Sequence, residues 1–182
     1  MPQLLRVSGG EARGRRLRSP RGIRPTQGVV KEAIFNMLGP AVLDAVVLDL
    51  FAGSGALGIE ALSRGAARAV FVEREESSAA ILRQNLEVLG YRDRARIVRA
   101  DVVRWLEANP DTVHDASVVL LDPPYRDAVL PLALTALDGL VASGTRVVAE
   151  FATGEELRPL ERLVERRRKR YGDTEVAVLE VA

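Results

Sequence analysis

The stretch VLDLFAGSGALGIEAL, residues 47–62, decides the fold. An apolar run leads into the spacing Gly53-x-Gly55-x-x-Gly58, and a helical pattern follows. Glycine permits a tight turn and lets backbone N–H groups approach a ligand beside a helix N-terminus. A strand, a glycine turn and a helix together predict a nucleotide-binding unit of an α/β domain. A purely structural glycine turn is the alternative.

The segments on either side alternate between strand-like and helical patterns. Strand-like runs occupy residues 46–50, 69–73, 96–100, 118–122 and 146–151, with helical stretches near 56–64, 76–89, 102–108 and 128–141. Continuous apolar strands with helical intervals predict an α/β fold with a mostly parallel, doubly wound sheet. ERRRKRYG and TEVAVLEVA flank Gly172-Asp173, which predicts an antiparallel hairpin at the C-terminus.

The N-terminal residues have a different pattern. LLRVSG and ARGRRLR surround Gly9-Gly10 and predict a small β-hairpin, and the basic stretch SPRGIRP predicts an extended linker. Thr26 is a predicted N-cap for a helix that runs to about Leu38. We therefore expect two parts, a basic hairpin and linker over residues 1–24 and the α/β domain over residues 25–182.

The net charge of +1 conceals an asymmetry along the chain. Residues 1–31 contain seven arginines and Lys31 against Glu11 alone, a net charge of +7, and the remaining residues carry −6. A basic N-terminal region before a mildly acidic body favours a nucleic-acid partner. A solvated basic tail is the alternative interpretation.

Composition limits the chemistry. The chain has 182 residues, no cysteine and one histidine, His114. A disulfide framework, a thiolate metal site and a Ser-His triad are therefore excluded, and no metal is expected. The sequence contains no apolar run of membrane-span length, and its N-terminus lacks a signal-peptide core. We expect a cytoplasmic protein without membrane contact.

Acidic residues near the glycine turn indicate which nucleotide binds. Glu73 ends the second strand, where a carboxylate holds ribose hydroxyls. Asp49 precedes the turn, where it would repel a pyrophosphate but suits a cation such as the amino group of S-adenosylmethionine. Asp101 either caps the next helix or accepts a hydrogen bond from adenine, whose ring nitrogen would accept one from the Val102 backbone. These readings are compatible.

The fourth strand ends in Asp122-Pro123-Pro124-Tyr125, which resembles a motif of methyltransferases that modify exocyclic or amide nitrogens. An exocyclic amine is a weak nucleophile because its lone pair is delocalised into the ring. Asp122 and the Pro123 carbonyl can accept the N–H hydrogens of such an amine and align it for attack, while the prolines keep these acceptors rigid. Tyr125 can stack on a base swung out of its helix.

At these residues the chain resembles the class I S-adenosylmethionine-dependent methyltransferases, whose nitrogen-modifying members carry Asp/Asn-Pro-Pro-Tyr/Phe. RVSGGEARGRRL, RPTQGVVKEAIFNML, LDLFAGSGALGIEALSRGA, FVE, DPPY and YGDTEVAVLE together resemble the bacterial small-subunit rRNA guanine-N2 methyltransferase family. The resemblance implies methylation of one guanine of 16S rRNA in a partly assembled small subunit, with S-adenosylhomocysteine as the product. A monomer is expected.

The resemblance and the patterns above assign candidate site residues. The cofactor candidates are Asp49, Phe51, Gly53, Ser54, Gly55, Glu73, Asp101 and Val102. The catalytic candidates are Asp122, Pro123, Pro124 and Tyr125. The RNA-binding candidates are Arg13, Arg15, Arg16, Arg18, Arg21, Arg24 and Lys31. Gly28 and Val29 depart from the family pattern, in which an acid and an arginine are common, so a substrate contact there is expected to differ.

Three other functions fit parts of the pattern. Asp-Pro-Pro-Tyr also occurs in adenine-N6 and other amino methyltransferases, but a DNA enzyme would usually need a target-recognition domain for which this chain has no room. A nicotinamide oxidoreductase conflicts with Asp49 and lacks its usual catalytic residues. A catalytically silent RNA-binding assembly factor would not need residues 122–125.

Overall fold

The computed structural model of the chain describes residues 5–19, 28–125 and 127–182. The described strands are β1 Val46–Leu50, β2 Arg68–Glu73, β3 Ala95–Arg99, β4 Val118–Leu121, β5 Arg146–Ala152, β6 Leu163–Tyr171 and β7 Thr174–Val181. The described helices are α1 Gly28–Leu38, α2 Ala56–Ser63, α3 Glu76–Leu89, α4 Val102–Ala108, α5 Pro110–His114 and α6 Val129–Leu140. Short 3₁₀ turns cover Gly39–Val42 and Arg92–Arg94.

All described strands form a single sheet in the order β3-β2-β1-β4-β5-β7-β6. The first five are parallel, and β7 lies antiparallel between β5 and β6. The mostly parallel sheet and the C-terminal hairpin are therefore confirmed. Because the first five strands point the same way, their carboxyl ends meet at one edge of the sheet, where ligands of open α/β sheets bind.

Two apolar cores lie on opposite faces of the sheet. One is built by α1, α2 and α3, together with apolar residues from the N-terminus of the described chain, and the other by α4, α5 and α6. This confirms the doubly wound arrangement, since strands covered on both faces are apolar throughout. Helix α5 is the one described helix that the sequence pattern does not predict. Pro110 begins it, and proline suits the first helical position.

The N-terminal arm, which we define as residues 5–19, forms a hairpin with a wider loop than predicted. Its two sides are antiparallel, but they share a single bridge, Arg6 with Arg16, and no extended strand forms. The predicted hairpin is confirmed with Gly9-Gly10 in its loop, and the loop is wide because its backbone donors bond to α2. The backbone N–H groups of Glu11 and Ala12 donate to the carbonyl and the hydroxyl of Ser63.

Gly10 explains why this docking is so close. Its φ is +78°, and a Cβ atom there would lie 1.8 Å from the Ser63 carbonyl oxygen. Only glycine combines this backbone conformation with this approach. The arm also buries Leu5, Val7 and Leu17 in the core that contains α1 and α2. The described part of the arm therefore belongs to the same folded body as the α/β domain, and the division at residue 24 stays a prediction.

A buried carboxylate joins the arm to two helices. Glu60 of α2 accepts hydrogen bonds from the Ser8 backbone (2.9 Å), the Ser8 hydroxyl (2.8 Å) and the Gly9 backbone (2.8 Å). It also pairs with Lys31 of α1 at 2.7 Å and with Arg64 at 2.8 Å. Burial alone would raise the pKa of Glu60, but the Lys31 ammonium and these donors outweigh it and hold that pKa below its ordinary value.

Lys31 is a structural residue in this arrangement. Its side chain has no exposed surface, and its ammonium group also donates to the Arg6 carbonyl oxygen. The structure therefore contradicts the prediction that Lys31 contacts RNA, because the sequence pattern shows the charge of a helix residue but not the buried acid opposite it. No helix in the described ranges is long and apolar enough to span a membrane.

Replacing Lys31 with methionine should lower the free energy of unfolding by about 3 kcal/mol, since the buried Glu60 would lose its fully buried counter-ion and keep only Arg64. Urea unfolding at pH 7 measures this loss. The matched control is Lys169→Met, because Lys169 is exposed on β6. Equal stability of the two variants would show that the Lys31–Glu60 pair does not hold the arm and α1 in place.

Candidate functional site

A cavity of about 680 Å³ opens at the carboxyl ends of β1, β2, β3 and β4. It is lined by residues that follow β1, the end of β2, the start of α4 and the segment after β4. Its volume is in the range of small-molecule sites. Every predicted cofactor residue except Gly55, and all four predicted catalytic residues, line this cavity.

The glycine turn forms one wall. Gly55, with φ +83°, is the N-cap of α2, and Gly53 has φ +55°. Gly58 lies in the first turn of the helix, where a Cβ atom would come 2.3 Å from the Phe71 ring and 3.0 Å from the Asp49 carboxylate. The third glycine thus lets α2 pack closely on β1 and β2. Phe51 has φ +63°, a conformation that is rare outside glycine and occurs often at functional sites.

Asp49 is buried beneath this turn. Its Oδ2 accepts a hydrogen bond from the Gly58 backbone at 2.8 Å, so one function of this carboxylate is to hold the start of α2. Burial raises the pKa of Asp49 well above its ordinary value, although the Gly58 hydrogen bond opposes the shift, and the charges of Asp122 and Glu73 raise it further. A cation bound beside Asp49 would offset that cost.

Glu73 ends β2 and Asp101 follows the neighbouring strand β3, as predicted. The Glu73 carboxylate accepts from the Gly53 backbone and the Glu75 backbone, both at 2.7 Å, and so fixes the glycine turn against β2. Each carboxylate oxygen has a further lone pair for a ligand hydroxyl. Asp101 is the N-cap of α4 and accepts from the Arg104 backbone at 3.1 Å. The capping role is confirmed, while contact with adenine stays a prediction.

Asp122, Pro123, Pro124 and Tyr125 follow β4 along the cavity. The Tyr125 hydroxyl donates to Oε1 of Glu150 at 3.1 Å and makes a short hydrogen bond with the Thr174 hydroxyl. Burial, and to a lesser extent the charge of Glu150, raise the pKa of Tyr125 to about 12, although the Thr174 bond opposes the shift. The ring is therefore held by its hydroxyl end against β5 and β7.

Glu150 and Thr174 are cavity residues that the sequence reasoning missed. Glu150 is 4% exposed, and its Oε2 has no hydrogen-bond partner within the described structure. Burial, with a further contribution from the Asp122 charge, raises the pKa of Glu150 to about 8. A signal was present in RVVAEFA, where an acid interrupts an otherwise apolar strand. Thr174 gave none, because it resembles an ordinary strand start.

The charge of the cavity lining is one-sided. Among the described residues it contains seven carboxyl groups, of which Glu150 keeps its proton at neutral pH, and a single arginine, Arg74, which pairs with Glu75 at 3.2 Å. The carboxyl groups belong to Asp49, Glu73, Glu75, Asp101, Asp122, Asp127 and Glu150. Such a lining favours a cationic ligand and opposes a pyrophosphate. No group of three or more metal-ligating side chains occurs within the described ranges.

The N-terminal arm contributes to the same cavity. Leu5 and Ser19 belong to its lining. Asn85 of α3 connects the arm to the glycine turn, because its amide exchanges hydrogen bonds with the Arg18 backbone and also donates to the Ser54 carbonyl oxygen at 3.0 Å. The position of the arm and the shape of the turn are therefore linked.

The predicted RNA-binding arginines of the arm are exposed where the structure describes them, at Arg13, Arg15, Arg16 and Arg18. Arg15 donates to the Val88 carbonyl oxygen and Arg18 to the Gln84 side chain, so neither is paired with an acid through these bonds. Arg21 and Arg24 lie outside the described residues. The assignments of these six arginines stay predictions.

The fold is that of a class I methyltransferase. The chain belongs to the family "Conserved hypothetical protein 95", whose model matches residues 5–180. "Putative rRNA methyltransferase YlbH" of Bacillus subtilis is 39% identical over 96% of this chain and 97% of its own. "Ribosomal RNA small subunit methyltransferase D" of Escherichia coli is 42% identical over 74% of this chain and 67% of its own. The solved structure of Escherichia coli yhhF is 33% identical, covers 98% of both chains and superposes with a TM-score of 0.85.

Replacing Glu150 with glutamine should change how stability depends on pH. In the folded protein Glu150 keeps its proton up to a pKa of about 8, whereas the unfolded chain releases it near the ordinary value of 4.5. The stability that protonated Glu150 contributes is therefore complete below pH 4.5 and is lost as the pH rises to 8. In Glu150→Gln the free energy of unfolding should therefore decrease less as the pH rises, by on the order of a few kcal/mol.

Urea unfolding at pH 5 and pH 8 measures the effect, with exposed Glu156→Gln as the control. Asp49, whose pKa is also raised, gives the wild-type protein and both variants the same background slope. A variant at position 150 with the wild-type pH dependence would show that Glu150 is ionised in the fold.

Proposed function

We propose that this protein transfers a methyl group from S-adenosylmethionine to the exocyclic N2 amine of a guanine in 16S rRNA, within a partly assembled small subunit. The observation that carries the proposal is the acid-rich cavity, which combines the glycine turn with Asp122–Tyr125. The names of both relatives support rRNA as the substrate, and the name of the Escherichia coli relative supports rRNA of the small subunit. The choice of guanine N2 rests on the family resemblance of the sequence.

The cavity residues fit this cofactor. S-adenosylmethionine, when bound, supplies an electrophilic methyl group on a positively charged sulfur. Asp49 and the surrounding carboxylates provide the negative field that its two positive groups require, and Glu73 has lone pairs for ribose hydroxyls. Asp101 and the Val102 backbone would bind adenine. The charge balance argues equally against a nicotinamide dinucleotide, whose pyrophosphate would face these acids.

The residues after β4 would bind the target amine. Asp122 and the Pro123 carbonyl accept its two N–H groups, which draws electron density onto nitrogen and turns its lone pair toward the methyl carbon. As the nitrogen–carbon bond forms, the bond between the methyl carbon and sulfur would break and release S-adenosylhomocysteine. The nitrogen would then lose one proton, which Asp122 would accept. Glu150 and Thr174 hold the Tyr125 hydroxyl, which leaves the ring face available to a flipped base.

The exposed arginines of the arm, including Arg13 and Arg16, would bind RNA phosphates. Contacts of this kind give affinity and register rather than base choice. A cytoplasmic monomer that acts on an assembly intermediate completes the proposal.

The proposal is tested with small ribosomal subunits from a strain that lacks this protein, incubated with the purified protein and S-adenosylmethionine labelled on its methyl group. We expect label in 16S rRNA, at a single guanine as N2-methylguanine after nuclease digestion and mass spectrometry. Label on adenine N6 would replace the proposal with the adenine alternative. Binding of the rRNA without transfer would indicate an assembly factor.

Replacing Glu73 with alanine should weaken S-adenosylmethionine binding about tenfold to a hundredfold, as expected for a lost charge-assisted hydrogen bond. The variant loses the ribose acceptor and also releases the Gly53 and Glu75 backbone donors. Titration calorimetry measures the affinity, and Glu107→Ala, an exposed acid of α4, is the control. If Glu73→Ala binds S-adenosylmethionine with wild-type affinity, Glu73 does not contribute to binding the cofactor.

Replacing Asp122 with alanine should leave cofactor affinity close to wild type but reduce kcat about a hundredfold to a thousandfold, because its hydrogen bonds strengthen as charge develops on the amine. Single-turnover methyl transfer to the unmethylated subunits measures this, with calorimetry on the same preparation. If Asp122→Ala transfers the methyl group at the wild-type rate, Asp122 only shapes the loop.

A further inference from the structure

Strand β6 forms one edge of the sheet and is basic along most of its length. Residues 164–170 are exposed, and five of these seven are arginine or lysine. The basic residues predicted from the sequence to bind RNA all lie within residues 1–31. The fold places a second basic segment, β6, at an edge of the sheet, and the position of its cations relative to the cavity decides whether they could contact RNA.

The charges on β6 divide into two groups. Arg168 pairs with Glu165 at 2.6 Å and with Glu175 at 3.0 Å, and its guanidinium lies over the Phe151 ring, so it serves the fold. Arg166 lies 4.0 Å from Glu180, and Arg170 is opposite Glu175 and donates to the Gly172 carbonyl oxygen. Arg167 and Lys169 form the second group, which among residues 5–19, 28–125 and 127–182 has neither an acid within 4.0 Å nor an acid directly opposite on β7. The second group carries positive charge that the described protein does not neutralise.

The strand register places this second group on a particular face. Lys169 is opposite Val176 and Arg167 is opposite Val178. Residues directly opposite in an antiparallel pair share one face of the sheet. Val176 and Val178 belong to the core that also contains α1 and the apolar residues of the arm. Arg167 and Lys169 therefore flank the same face on which the arm lies.

The same register connects this face to the cavity. Tyr171, two residues after Lys169, is opposite Thr174, whose hydroxyl contacts that of Tyr125. At about 3.3 Å per residue, Lys169 lies roughly 7 Å and Arg167 roughly 13 Å along the strand from this point. Lys169, the nearer of the two unpaired cations, is thus two residues from Tyr171, which is paired with the residue that holds Tyr125.

We infer that Arg167 and Lys169 form a second docking surface for the phosphate backbone of the rRNA substrate, on the face of the sheet that the arm also covers. This inference rests on the proposed function. The cavity lining is acidic, so RNA approaching it is repelled unless cations on the rim hold its phosphates. The arm supplies cations beside the glycine turn, and β6 supplies them beside Tyr125, where the base would enter.

Charge on an edge strand also has a structural explanation, since it prevents pairing with the edges of other sheets. That explanation requires charge anywhere along β6. It does not require the unpaired charges to share the face of the arm or to approach Tyr125. The two explanations also predict different results when Arg167 and Lys169 are neutralised, because only a docking surface contributes to RNA affinity.

The test compares Arg167→Gln/Lys169→Gln with the matched control Arg68→Gln/Arg96→Gln. The control removes two exposed arginines near the amino ends of β2 and β3, at the opposite end of the strands from the cavity. Binding of both variants to the unmethylated small subunits is measured over 50–300 mM salt. Calorimetry with S-adenosylmethionine checks that the cofactor cavity is intact.

For Arg167→Gln/Lys169→Gln we expect about tenfold weaker binding and a salt slope that is less steep by about 1.5, since each phosphate contact contributes roughly 0.7–0.9. Cofactor affinity and the control variant should match wild type. Unchanged binding and slope in Arg167→Gln/Lys169→Gln, especially with self-association, would overturn the docking surface in favour of edge protection. If wild-type protein itself neither binds nor methylates the subunits, the proposed function fails and the surface fails with it.

Discussion

The buried carboxylate of Glu60 is the constraint on which the rest of the arrangement depends. Burying a charge without partners is costly, so this residue requires the Lys31 ammonium and the donors from Ser8, Gly9 and Arg64 to be present together. Those partners come from the arm, from α1 and from α2 itself. Because α2 begins at the glycine turn, the same contacts that fix the arm also fix one wall of the cavity. A basic segment that resembles a free tail in the sequence is thereby built into the site.

The cavity shows what this rigidity is for. Burial raises the pKa of Asp49, and the charges of Asp122 and Glu73 raise it further, so the ionised Asp49 carboxylate is unfavourable in this lining. Folding alone therefore leaves the lining in an unfavourable electrostatic state, which a positively charged ligand would relieve. The hydrogen bonds from Gly58 to Asp49 and from Gly53 to Glu73 keep the acids in place in the meantime. The backbone hydrogen bonds thus hold the carboxylates close together, an arrangement that costs folding free energy and favours the binding of a cation.

The sequence predicted most of the sheet and most of the cavity, because both depend on local patterns. Apolar runs mark buried strands, and residues just after parallel strands meet at one edge wherever the helices pack. Its errors concern contacts between distant segments. The arm was expected to turn at Gly9-Gly10, and it does so in a wider loop because its backbone donors bond to Glu60 and Ser63. The sequence shows the charge of Lys31 but does not show that Glu60 is its buried partner.

Glu150 shows the same limit at the centre of the site. An acid in the middle of an apolar strand is visible in the sequence, but its neighbours Tyr125 and Thr174 come from a loop after β4 and from a strand that runs antiparallel to β5. Only the sheet order, with β7 inserted between β5 and β6, brings them together. That insertion also carries the β6 edge to the rim of the cavity. An acidic cavity that must admit a polyanion needs cations outside it and not within, and the antiparallel hairpin places them there.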